Sequence, residues 1–204
     1  FPRNAFVDMK TFLHHDGALG DVLLSLPIMN SIRSDSALLH FAGRADIGEL
    51  LREYRIIDEA TSSGSSRYAS LHAGEIDADA AAFLRTFERA FLFTVNGHSA
   101  LASSLRAVIP RTKIIITILS GPGDRHISDF RMQQLGLTSQ KADGRALIVP
   151  KRFDALARDR LRIFGHDGIA PVISMHPYSG GEAKVWPLER FFDLIERLKK
   201  SFAP

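Results

Sequence analysis

Short apolar runs alternate along this chain with longer stretches in which apolar residues recur at helical spacing. Residues 11–15 read as a strand and 22–33 as the helix that follows. The same alternation predicts strands at 38–42, 56–60, 91–95, 113–119, 146–149 and 172–176. Helices are predicted at 47–54, 78–88, 99–108, 124–135, 153–164 and 187–202. Repeated strand–helix units with apolar, β-branched strands imply an α/β fold: a Rossmann-like parallel sheet, flanked by helices and joined by right-handed crossovers. Ligands of such sheets bind beyond the carboxyl ends of the strands, which directs attention to the loops after His15, Ala42, Ala60, Val95, Leu119 and His176.

Breaks in the pattern refine this outline. Pro27 falls inside the first helix, where it removes a backbone donor and is expected to bend the axis or delay the start. The stretch TSSGSS at 61–66 reads as a flexible surface loop. Residues 165–171 hold two glycines and a proline ahead of a new strand and read as a linker. The expected division is therefore a first domain over 9–165 and the start of a second over 166–204, since one strand and one helix do not complete a domain. Residues 1–8 have no clear pattern, and Met9 is read as the natural start.

Composition narrows the function classes. Lysine and arginine number 26 against 23 acidic residues, for a net charge of +3, so no dense basic field calls for nucleic acid. The chain has no cysteine, which excludes disulfides, thiolate metal sites and a cysteine nucleophile, and fits a cytoplasmic protein. No apolar run reaches the roughly 20 residues of a membrane span. Residue spacing gives no metal-ligand set: His14 and His15 alternate across a strand end, so one of them is expected to face a ligand cleft, and His40 lies within a strand.

Two segments carry candidate chemistry. In His15-Asp16-Gly17-Ala18-Leu19-Gly20-Asp21, Gly17 and Gly20 allow a tight turn between strand and helix, and Asp21 lands at the helix N-terminus. The spacing is GxxG rather than the GxGxxG of a dinucleotide site, and an aspartate there is ordinarily a cap. In HPYSGGEAKVWP, from His176 to Pro187, the glycine-rich loop with Ser179, Gly180 and Gly181 runs into a helix. Free backbone N–H groups and the mobile charge of Lys184 suit a phosphate, although a solvated turn with a surface lysine would look the same and the Walker pattern is absent.

Taken together, HDGALGDVLLSLPIMNSIR near the start and HPYSGGEAKVWPLERFFDLIERL after the linker resemble, in order and separation, the two motifs of glycosyltransferase family nine, the lipopolysaccharide heptosyltransferases. HISDFRMQQLGL, from His126 to Leu137, fits the same layout. The resemblance implies a two-domain GT-B-type enzyme: an acceptor-binding N-terminal half, and a nucleotide-sugar half of which this chain carries the beginning. It implies inverting transfer of heptose from ADP-heptose to a lipid A–core oligosaccharide acceptor, with no cofactor beyond the ADP-sugar substrate. It also implies a cytoplasmic location with peripheral contact at the inner membrane. Asp21 would be the general base, and Lys184, with Ser179, Gly180 and Gly181, would hold the donor phosphates. Tyr178 stands where the family loop commonly has glycine, and the later D-x-G-x-x-H motif is not reached, so the 204-residue chain alone is expected to be inactive.

His98, after a predicted strand, and Arg125 and His126, after Gly121-Pro122-Gly123, are further acceptor-side candidates. The plainer reading makes these segments turns, with Ser99 and Asp124 as helix caps. Trp186 is a candidate for stacking on a base, against the commoner role of packing beside a helix start, while Phe191, Phe192 and Ile195 read as core. The competing functional class is a non-catalytic Rossmann-like module that binds a glycolipid or saccharide. A nicotinamide-dependent oxidoreductase ranks below both for want of GxGxxG.

Overall fold

Strand β1 (Lys10–His15) is buried at every position after Lys10, and β2 (Leu38–Gly43) at every position after Leu38. Burial on both faces explains why their sequences are almost continuously apolar instead of alternating. In the computed structural model, which describes residues 9–118, 124–137, 150–178 and 184–202, they are joined by β3 (Glu59–Ser62), β4 (Arg89–Thr94) and β5 (Thr112–Ile116). The sheet is five-stranded, parallel throughout, and ordered β3-β2-β1-β4-β5. The strand order reverses direction at β1.

Side-chain alternation sends successive residues of each central strand into opposite cores. Leu13, Leu39, Phe41, Phe91 and Phe93 pack with residues of α1 (Leu19–Ser34) and α2 (Ala45–Glu53). Phe12, Ala42, Ala90 and Leu92 pack on the other face with α3 (Ser66–Ala73), α4 (Ala78–Leu84) and α5 (Ala100–Val108). Met132 and Leu135, in and just after α6 (Ile127–Gln133), join the α1 side. The result is the three-layer Rossmann-like arrangement that the pattern predicts.

Helix α1 neither stops nor starts late at Pro27: it begins at Leu19 and runs through the proline. Pro27 deprives the Leu23 carbonyl of its usual donor, and the helix around it draws on side chains from α6. Ser128 Oγ donates to the Leu24 carbonyl at 2.8 Å, and Arg131 Nη1 to the Asp21 carbonyl at 2.6 Å. At the opposite end, Arg89 donates to the carbonyls of Ile32 and Asp35 and to the hydroxyls of Thr11 and Ser36, closing the helix C-terminus against the sheet.

Three expectations are corrected. The third strand starts at Glu59 rather than 56, because Ile56 and Ile57 are spent as core residues before the ladder begins. The serine-rich stretch is no free loop: Thr61 and Ser62 belong to β3, and Ser66 opens α3. Thr61 is anchored there, donating to His40 Nε2 and accepting from the Tyr68 hydroxyl at 2.6 Å, while His40 Nδ1 donates to Glu59. Third, residues 172–176 form no strand, since no ladder partner stands beside them among the described residues. The predicted strand at 146–149 lies outside the described residues.

Contacts divide the chain into two compact units, Phe1–Pro150 and Lys151–Pro204. The second contains α7 (Arg152–Ile163) and α8 (Leu188–Phe202). α8 starts one residue after Pro187 and has Glu189 in its first turn and Lys199 and Lys200 in its last, matching the helix dipole. Trp186 packs edge-on against Phe191 at 4.8 Å between ring centroids, whereas Phe192, read as core, is exposed. No described helix is long and apolar enough to cross a membrane.

Candidate functional site

A cavity of about 390 Å3 opens beyond the carboxyl ends of β1, β4 and β5. It lies where the strand order reverses, the position at which doubly wound sheets bind ligands. His14, His15, Asp16, Gly17 and Asp21 line it from the first strand–helix junction, Leu92 to Val95 from β4, Thr117 and Ile118 from beyond β5, and His72 from α3. Both histidines of β1 reach it, contrary to the expectation of one, because the cavity sits off the end of the strand and is open to both faces.

Asp21 is the third residue of α1, behind the uncapped Ala18. Its side chain is 53% exposed, and its Oδ1 lies 3.8 Å from Nη2 of Arg131, which is 1% exposed. Gly17 is required by close approach: a Cβ there would stand 2.5 Å from the His15 ring and 2.8 Å from Asp21 Cβ. At Gly20, by contrast, a Cβ would meet nothing within 4 Å, so open space faces this part of the helix.

A buried polar network supports this junction. The Gly17 N–H donates to His15 Nδ1 at 3.0 Å, which assigns the ring proton to Nε2, and Nε2 then donates to Ser25 Oγ at 3.0 Å. Ser25 also accepts from Arg131 Nη1 at 2.6 Å and donates to the Asp21 carbonyl, filling its hydroxyl valence. Arg131 Nη2 reaches the Thr117 carbonyl at 2.6 Å, so one guanidinium ties α1 to the end of β5. Burial pushes the His15 imidazole down to about 4, the Arg131 charge adding to the effect and Asp21 opposing it. His15 is therefore neutral near pH 7 and acts as a fixed strut, stacked on Phe93 at 4.9 Å.

His14 points to the other face. It is 2% exposed, its Nε2 lies 3.2 Å from Asp16 Oδ2, and its ring meets that of His72 edge-on at 6.0 Å. Burial lowers its pKa, with Asp16 pulling the other way and His72 adding to the lowering.

Of the predicted site residues, the cavity brings together Gly17 and Asp21. His98, Arg125 and His126 are exposed and are not among its lining residues. Ser99 caps α5 as the plainer reading has it. His126, rather than Asp124, caps α6, and Arg125 bonds Gln133 at 2.8 Å. Lys184 is exposed ahead of α8, and Ser179, Gly180 and Gly181 lie outside the described residues. Sequence reasoning missed His72, Ser25 and Arg131. Arg131 had a signal: with Ile127 and Leu135 it shares one face of a helix, and an arginine on an apolar face calls for a buried acceptor.

No protein-family model and no curated protein matches the chain. Solved structures do match it. A glycosyltransferase of family 9 from Veillonella parvula DSM 2008 superposes with a TM-score of 0.70 at 16% identity, covering 94% of this chain and 60% of that one. An ADP-heptose LPS heptosyltransferase II of E. coli gives 0.64 at 16% identity, covering 95% and 62%. The chain thus has the fold seen in these glycosyltransferases, and spans about three fifths of their length.

Proposed function

We propose that this chain is the acceptor half, with the beginning of the donor half, of an inverting glycosyltransferase of family nine that moves heptose from ADP-heptose to a lipopolysaccharide inner-core acceptor. The observation that carries the reading is the place of Asp21: a half-exposed carboxylate in the cavity at the sheet's switch point, in a fold shared with a glycosyltransferase of family 9 and an ADP-heptose LPS heptosyltransferase. The resemblance of the HDGALGD and HPYSGGEAKVWP segments to the family's motifs supports the narrower reading that the fold alone does not reach.

In this reading Asp21 takes the proton from an acceptor hydroxyl as that oxygen bonds to the anomeric carbon. The bond from that carbon to the ADP oxygen breaks on the opposite side, inverting the centre. Charge gathers on the departing diphosphate, where Lys184 and the N–H groups of Ser179, Gly180 and Gly181 would receive it. Arg131 and Ser25 hold the Asp21 turn in position without touching substrate. Location at the cytoplasmic face of the inner membrane follows from the lipid-borne acceptor.

The test pairs binding with transfer. Calorimetric titration of a heptose-deficient lipid A–core oligosaccharide into the 204-residue chain should show binding. A chain extended through a complete donor half should transfer heptose, with Asp21→Asn lowering turnover by about 10²–10⁴-fold while the acceptor still binds. Unchanged turnover in Asp21→Asn would remove Asp21 from the mechanism. Acceptor binding with no transfer by any version would favour the saccharide-binding module instead.

A further inference from the structure

We propose that His14, Asp16 and His72 form a binding site for a divalent transition-metal ion of zinc's class, on the α3 side of the cavity. One ligand atom from each residue lies within 4.8 Å of the other two, the one such cluster among the described residues. His14 Nε2 and Asp16 Oδ2 stand 3.2 Å apart yet lack hydrogen-bond alignment. Zinc bonds of about 2.0–2.1 Å in a tetrahedron place neighbouring ligand atoms roughly 3.3 Å apart, so this separation is that of two ligands on one ion.

The second observation is independent of the spacing. His14 is 2% exposed, and neither ring nitrogen has a hydrogen-bond partner. Burying an unsatisfied polar atom is costly, and an ion between His14 and Asp16 satisfies Nε2 beside the cavity that His14 lines. Two imidazoles and one carboxylate suit zinc, cobalt or nickel rather than magnesium or calcium, which prefer all-oxygen shells.

The scaffold is firm where it has to be. His14 is the penultimate residue of β1, paired in the ladder with Ala42 on one side and Leu92 on the other, and His72 follows Leu71, a buried anchor of α3. Three protein ligands leave a fourth position for water or an anionic oxygen from the cavity, the pattern of an open site rather than a closed structural one. The inference rests on these residues alone and stands apart from the transferase reading.

Zinc ion alone, titrated into the metal-free 204-residue chain against a chromophoric chelator, should bind at one equivalent. His72→Ala and Asp16→Asn alter exposed side chains, so both should fold, and each should weaken binding at least 10-fold. His166→Ala in the second unit should leave it unchanged. Cobalt loading should give visible ligand-field absorption that His72→Ala removes. Absence of stoichiometric binding overturns the proposal, as does binding that survives both variants or falls equally with His166→Ala. The readout is metal affinity, so a failed transfer assay leaves this site untouched, and the reverse holds.

Discussion

Arg131 grips Asp21 by its backbone rather than its carboxylate: Nη1 lies 2.6 Å from the Asp21 carbonyl oxygen, while Nη2 stays 3.8 Å from Oδ1. The carboxylate is left facing the cavity while the peptide behind it is pinned. The same guanidinium serves Ser25 and Thr117, so its removal strands acceptors on two elements at once.

Arg131→Met should therefore destabilise the first unit by about 2–4 kcal/mol, because buried acceptors lose a charged donor. Arg131→Lys should recover less than half of that, since an ammonium cannot span α1 and the end of β5 together. Urea unfolding measures both. A loss below about 0.5 kcal/mol in the Met variant would contradict the network.

The two glycines of the first motif should behave oppositely. Gly17→Ala drives a Cβ into the His15 ring and Asp21, and should cost about 1–3 kcal/mol. Gly20→Ala meets nothing and should be neutral or stabilising by up to about 1 kcal/mol. If acceptor packs against this turn of α1, Gly20→Ala lowers acceptor affinity although the fold gains. Calorimetry on the same sample separates the two effects.

Acid should unfold the protein earlier than an ordinary surface composition implies. Burial lowers the pKa of His14, His15 and His40, the last against the opposing bond to Glu59. A base with a lowered folded pKa leaves the unfolded chain holding more protons, so stability falls as pH drops below the unfolded value near 6.5. For His15 the loss continues to about 4 and amounts to roughly 3 kcal/mol. Unfolding midpoints measured from pH 7.5 to 4 should decline across this window, and His15→Asn should flatten the slope while lowering stability at neutral pH.

Arg89→Met should cost about 2–3 kcal/mol, since four acceptors at the far end of α1 lose one donor group. The cavity lies at the opposite end of β1 and β4, so binding there should be unchanged at temperatures where the variant is folded. A variant as stable as the parent would show that water replaces Arg89 without loss.

The central strands and their helices were readable because continuous apolar runs have few other fates in a chain of this length. β3 was misplaced because Ile56 and Ile57 are as apolar as a strand yet serve the core before pairing begins. α3 was missed because SRYASLHA buries only Tyr68 and Leu71 and is otherwise small and polar. Residues 172–176 show the converse error: an apolar run is a strand only when a neighbour completes its ladder. At the site, Asp21 and Gly17 could be read from one local junction. His72 arrives there through packing of a distant helix, which no spacing along the chain encodes, and the helical spacing that marks Arg131 as an arginine on an apolar face does not say which acceptors it meets.

β1 ends in two adjacent histidines that serve opposite layers of the sheet. The layers meet at the cavity, where alternate residues of β1 and β4 face one layer or the other, so the wall is divisible. Substitutions among α3 and its neighbours can remodel the His14 side while the His15, Ser25 and Arg131 brace, and the turn carrying Asp21, keep their geometry. A protein built this way can change what it recognises on one flank while inheriting its chemistry intact on the other.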